Sequence, residues 1–218
     1  MTPASAVLNR AELDVPAIRG KIEQEIETLL AGLPPADGLS AAQRRAVIAR
    51  YTAVLEGNFI YWMTGAYISV RSAEAREKIL ENLHEEVRDS HPNMMRKFAL
   101  AAHAAPTEVD AAVVYQKLTD VRLFIGRLSP VPILTTMAFF EGFIQRFMPY
   151  LADLAKRQGS SEMEYTDVHG VCDITHTEEL YNALRAEIAM ANGSTPAGES
   201  LFEGVRLLRS LIETIVVG

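Results

Sequence analysis

An all-α bundle of seven or eight helices is the fold this sequence predicts. Apolar residues recur at helical spacing almost throughout, and alternating strand-like runs are nearly absent. The breaks between periodic stretches are short and carry proline, glycine or a helix-capping residue, which places consecutive helices side by side.

The first helix fits Ala11 to Leu33, with Ile18, Ile22, Ile26, Leu29 and Leu30 on one stripe. Leu-Pro-Pro-Ala-Asp-Gly then ends it, because proline and glycine both oppose helix continuation. Ser40 caps a second helix reaching about Tyr67. A third covers about Ala73 to Val87, and a fourth starts near Pro92, proline being tolerated in a first turn. The fifth follows Thr107, with Glu108 and Asp110 in the turn where the helix dipole favours acids. After a break at Ser129-Pro130, a long helix covers about Pro132 to Arg157. Ser160 and Ser161 cap the next, which runs to about Met190, and the last starts near Thr195-Pro196. At 218 residues without repeats or linkers, the whole span 1–218 reads as a single domain.

Hydrophobic residues at 49% and charged residues at 22% describe an ordinary globular chain. A net charge of −7 argues against nucleic acid or an anionic membrane as the main partner. The apolar segments are all interrupted by charge well before the roughly 20 residues that a membrane span needs. A single cysteine, Cys172, and an N-terminus unlike a signal peptide point to a reducing, cytoplasmic setting.

The chemistry lies in two histidine clusters, His103 reading as structural. In His169-Gly-Val-Cys-Asp173-Ile-Thr-His176, steps of four and three bring three side chains within about 60° of one another on a helix face. Two imidazoles and a carboxylate can ligate one metal or divide between two, and the set suits iron, manganese or zinc. The competing reading is a solvated face with an Asp–His pair. Against it, Val168, Val171, Cys172 and Ile174 make the surroundings apolar. The second cluster is Glu81-Asn-Leu-His84-Glu85-Glu86-Val-Arg-Asp-Ser-His91-Pro92, where His91 at a helix junction pairs with Glu85 or Glu86. Glu141, flanked by Phe139, Phe140, Phe143 and Ile144, is costly to bury unless paired or metal-bound, and Glu56 is a similar oddity on the second helix. Buried acids on separate helices facing such a histidine helix are how bundles build dinuclear carboxylate sites.

These three pieces, Glu-Asn-Leu-His-Glu-Glu86 with His91-Pro, Glu141, and His169-x3-Asp173-x2-His176, resemble the haem-oxygenase-like di-iron oxidases and oxygenases, the iron-containing redox enzymes. The resemblance implies a haem-oxygenase-like helical bundle. It implies Glu86, His91, Glu141, His169, Asp173 and His176 as ligands of two iron ions, with Glu56 matching an additional carboxylate. Only Val-Arg-Asp-Ser separates Glu86 from His91, shorter than usual, so Glu85 and Glu81 stay open as alternatives to Glu86. The implied function is a non-haem oxidase or oxygenase that reduces dioxygen, its co-substrate, to a peroxide bridging the irons. Its substrate would be a small amino-acid-like or fatty-acid-like metabolite of a biosynthetic pathway. An external electron donor and a homodimer are compatible with it; nucleic acid and membrane are not expected partners. Phe59, Tyr61, Trp62 and Phe147 could help keep the cavity dry, and Arg122 or Arg146 could pin a substrate carboxylate.

Two rivals accompany that reading. One is a metal-independent thiaminase-like or pyrroloquinoline-quinone-synthase-like enzyme on the same fold, the thiaminase type needing a cysteine nucleophile. Cys172, however, points about 100° away from adjacent Asp173 and stands off the shared face. The other is a non-catalytic iron-binding helical protein.

Overall fold

Side-chain caps and prolines set the starts of most helices. The computed structural model describes residues 14–191 and 198–218, and among them are α1 Val15–Ala31, α2 Ala41–Ser69, α3 Ala73–Arg88, α4 His91–Ala101, α5 Glu108–Ile125, α6 Pro130–Arg157, α7 Glu164–Met190 and α8 Glu203–Val217. No strand occurs among the described residues. Ser40 closes a reciprocal cap on α2: its hydroxyl accepts from Gln43 N at 3.3 Å, and Gln43 Oε1 accepts from Ser40 N at 2.9 Å. Thr107 and Asp110 do the same for α5. Asp110 also accepts from both terminal nitrogens of Arg45, at 3.0 and 2.9 Å, so the acid expected to serve the helix dipole also ties α5 to α2.

Several boundaries differ from expectation. Pro130 opens α6, since a first helical position tolerates a residue without an N–H. Ser160 does not cap α7; its hydroxyl accepts from Glu162 N at 3.1 Å within the connection, and the helix starts at Glu164. The expected Thr195-Pro196 start of the last helix lies outside the described residues, as does the stretch from Ala11 to residue 13. A single 3-10 turn, Gly198–Ser200, precedes α8. Between α3 and α4, Ser90 adopts left-handed φ 57°, ψ 44°, which breaks the helix and turns His91 inward.

The central element is α6. Every residue from Val131 to Ile144 is buried, which requires neighbours on all sides, and α1, α2, α7 and α8 supply them. Along α6 lies α7, and α3 and α4 in turn pack against α7. One further contact fixes α3 relative to α7. Buried Glu187 accepts from the backbone N–H groups of Arg71 and Ser72 at 2.7 and 2.6 Å, at the entrance to α3. The first half of α7 is therefore enclosed by α3, α4 and α6.

Close packing makes two glycines behave oppositely. A Cβ at Gly204 on α8 would lie 2.1 Å from Thr136 Oγ1 and 2.4 Å from Phe124 Cε1, whereas one at Gly57 on α2 meets nothing within 4 Å. Gly204→Ala is expected to lower the unfolding free energy by about 1–3 kcal/mol. Gly57→Ala should raise it by about 0.5–1 kcal/mol through helix propensity. Urea midpoints at unchanged slope measure both.

Candidate metal centre

The first half of α7 is turned inside out. His169, Asp173 and His176 are only 6%, 1% and 3% exposed, while Val171 and Ile174 are 70% and 52% exposed. Val171 and Ile174, two of the four neighbours expected to surround the triad, thus face outward, and much of its surroundings comes from other helices. On α3 the buried stripe is Ala75, Ile79, Asn82 and Glu86, a run of four- and three-residue steps that brings a polar pair to face α7. That stripe separates the three alternative acids. Glu86 is buried, Glu85 lies at the edge of the stripe, and exposed Glu81 pairs with Lys78 at 3.0 Å. His84 is exposed.

Two groups of donors form. In the first, His91 Nδ1 donates to Glu86 Oε1 at 2.8 Å, and His169 Nε2 lies 3.8 Å from the same oxygen. His169 Nδ1 donates to the Tyr165 carbonyl at 2.9 Å. A carbonyl can only accept, so in the neutral ring the Nε2 lone pair points toward Glu86. In the second, His176 Nε2 donates to Glu85 Oε2 at 2.9 Å, which aims the Nδ1 lone pair inward. That Nδ1 sits 3.8 Å from Asp173 Oδ1 and 3.9 Å from Glu141 Oε1. Asn82 Nδ2 steadies Glu141 by donating to Oε1 at 3.1 Å. Neither Asn82 nor the orienting part of Glu85 follows from the sequence reading, although Asn82 is the one amide on that buried stripe.

Acceptor atoms 3.8–3.9 Å apart are too distant to share a hydrogen bond and, without a positive charge between them, they repel. Asp173 Oδ2 and His176 Nδ1 are buried with no hydrogen-bond partner among the described residues. Burial drives the Asp173 carboxyl far above its ordinary range, and the charge of Glu141 adds to this. Burial likewise lifts Glu141 to about 7, with His176 opposing and Glu86 reinforcing the rise. Burial would raise Glu86 too, but His169 and His91, which attract the carboxylate when their rings are charged, outweigh it and hold its carboxyl at about 2. The same contact keeps His91 above the usual imidazole value, although burial acts in the other direction. Carboxylates and imidazoles with inward-facing lone pairs fit a cationic metal, which would replace the missing protons and hydrogen bonds together.

The remaining expectations divide. Glu56 is not brought to the cluster: it accepts from Arg96 Nε of α4 at 2.6 Å, so a guanidinium neutralises it. Arg122 donates to Asn58 Oδ1 at 2.8 Å, and Arg146 pairs with Glu23 at 3.3 Å and with Glu27. Both arginines are engaged away from the cavity. Cys172 lies closer than its helix angle suggested, with Sγ donating to Asp173 Oδ1 at 3.2 Å. Burial first, then the charge of Asp173, pushes this thiol up, opposite to the activation that a nucleophilic cysteine needs. A small cavity of about 20 Å³ adjoins the donors. Glu86, His91, Glu141, His169 and Asp173 form its polar wall, and Phe59, Phe140, Ile144 and Met95 much of its apolar one. Tyr61 is exposed, while Trp62 and Phe147 are buried core residues.

These titrations set a pH dependence for the metal-free protein. Between pH 4.5 and about 7, folded Glu141 keeps a proton that the unfolded chain releases, so stability falls as pH rises through that window. The loss is roughly 3 kcal/mol. His91, with its raised value, also loses its stabilising contribution as pH rises, and Glu86 acts oppositely only below pH 4.5. Thermal unfolding without metal should give a Tm that declines across the window and a flatter profile for Glu141→Gln; a rising Tm would contradict the assignment.

Among the described residues, no helix is long and apolar enough to cross a membrane. No curated protein matches the chain. The profile of a family described as iron-containing redox enzymes matches residues 47–207, a span that holds every residue of the buried cluster from Glu86 to His176. The chain belongs to the iron-containing redox enzyme family.

Proposed function

We propose that the chain is a single-domain, non-haem di-iron enzyme that uses dioxygen to oxidise a small metabolite bound in the cavity beside the cluster. Glu86, His91, Glu141, His169, Asp173 and His176 would hold the two irons. The observation that carries this reading is that the inner ring nitrogens of His169 and His176 each face carboxylate oxygens across 3.8–3.9 Å. Such a gap suits a metal ion between two donors better than it suits any protein contact. Bound there, ferrous ions would supply the electrons that activate dioxygen, chemistry that side chains alone do not provide.

The chain's own residues have definable tasks. Glu85 and the Tyr165 carbonyl each accept a hydrogen bond from an imidazole N–H and so fix which nitrogen of His176 and His169 is free to bind. Asn82 orients Glu141. Protons held by Glu141 and Asp173 leave as a cation enters, which makes affinity rise with pH. Phe59, Phe140, Ile144 and Met95 exclude water from the oxidising end and favour a substrate whose reacting part is apolar. A fatty-acid-like chain or an apolar amino-acid-like side chain meets that requirement.

Anaerobic reconstitution with ferrous iron tests the reading. Two irons per chain are expected, with at least one lost in His169→Ala and in Glu141→Ala, and oxygen uptake should depend on added substrate. Fewer than one tightly bound metal alongside intact turnover would defeat the proposal, and iron binding without substrate-dependent oxygen uptake would favour a storage protein. Glu86→Ala should abolish binding in its half of the centre. Glu85→Ala should only weaken iron affinity, by about 10–100-fold, because it removes an orienting partner and leaves the ligands in place.

A further inference from the structure

We infer that Cys172 is a sulfur ligand at the Asp173–His176 end of the centre, so that the two halves of the centre differ in chemical character. The inference rests on the metal-centre reading above and adds a donor that the helix spacing set aside. Cys172 Sγ, one Asp173 carboxylate oxygen and one His176 ring nitrogen all lie within 4.8 Å of one another. Asp173 Oδ1 is 3.2 Å from the sulfur and 3.8 Å from His176 Nδ1. A metal holding sulfur at about 2.3 Å and nitrogen or oxygen at about 2.1 Å keeps such atoms roughly 3–4 Å apart. Two of the donors independently call for a ligand: Asp173 Oδ2 and His176 Nδ1 are deeply buried and without hydrogen-bond partners among the described residues.

The thiol stands at the outer edge of this group, half-buried and in no disulfide, with its S–H donating to Asp173 Oδ1. On metal entry that proton passes to solvent and the sulfur lone pair takes its place in the metal's coordination. The other half, Glu86, His91 and His169, offers only nitrogen and oxygen. A thiolate makes the second half the softer of the two, with a stronger preference for zinc- or cadmium-like ions.

Cobalt(II) titration of the full chain without oxygen reads this directly, because the sequence contains a single cysteine. Two cobalt ions should bind, accompanied by a sulfur-to-cobalt charge-transfer band in the near ultraviolet of one ion's intensity. Cys172→Ser should abolish the band while visible cobalt absorption persists, and His91→Ala should retain the band. In the unmodified chain, cobalt should also slow alkylation of Cys172 by iodoacetamide at least tenfold. Two bound cobalt ions with no thiolate band and no protection would overturn the inference and leave the centre standing. Failure to bind any cobalt would overturn both.

Discussion

Carboxylates removed from water lose several kcal/mol of hydration each, and they repel one another strongly once the dielectric falls. Glu86, Glu141 and Asp173 are nevertheless all buried around one point of the bundle. Glu86 answers that constraint with the hydrogen bond from His91. Glu141 and Asp173 answer it with protons when no metal is present, which is why their carboxyl groups are pushed upward while that of Glu86 is held down. The polar interior of α7, the position of α3 and the short turn into α4 all serve this one arrangement.

Each donor is held by a neighbour. Glu187 ties α7 to the entrance of α3, so the helix bearing Glu86 is positioned by the helix bearing the histidines. Asn82 and Glu86, one turn apart on α3, reach Glu141 and His91 respectively. Glu85, at the stripe's edge, reaches His176. Adjacent acids in one sequence stretch thus have different tasks, one inside the donor set and one behind it. Conversely, the neighbours of Glu141 on α6, Phe139, Phe140, Phe143 and Ile144, are aromatic and aliphatic, which supplies the low dielectric that makes the acid expensive to leave uncompensated.

Much of this was legible in the chain. Helical periodicity is local, so the bundle and most helix starts follow from near neighbours along the sequence. Four- and three-residue steps sufficed to place His169, Asp173 and His176 on one face, and an acid among phenylalanines marked Glu141. The α3 stripe through Ala75, Ile79, Asn82 and Glu86 follows helix phase and makes Glu86, rather than Glu81 or Glu85, the buried acid of that segment. The α7 start lies later than the sequence predicts because Ser160 has the chemistry of a cap but uses it in a turn before the helix.

By itself, then, the sequence determined an all-helical chain and three segments rich in carboxylates and imidazoles, since both depend on the identity and spacing of nearby residues. Only the tertiary structure decided which donors meet. It turned Glu56 toward Arg96, engaged Arg122 and Arg146 elsewhere, and drew Cys172 toward Asp173. It also showed that Val171 and Ile174 face away from the histidines they adjoin. The reason is physical: convergence depends on how helices cross and which rotamers their packing permits, and residues far apart in the chain set both.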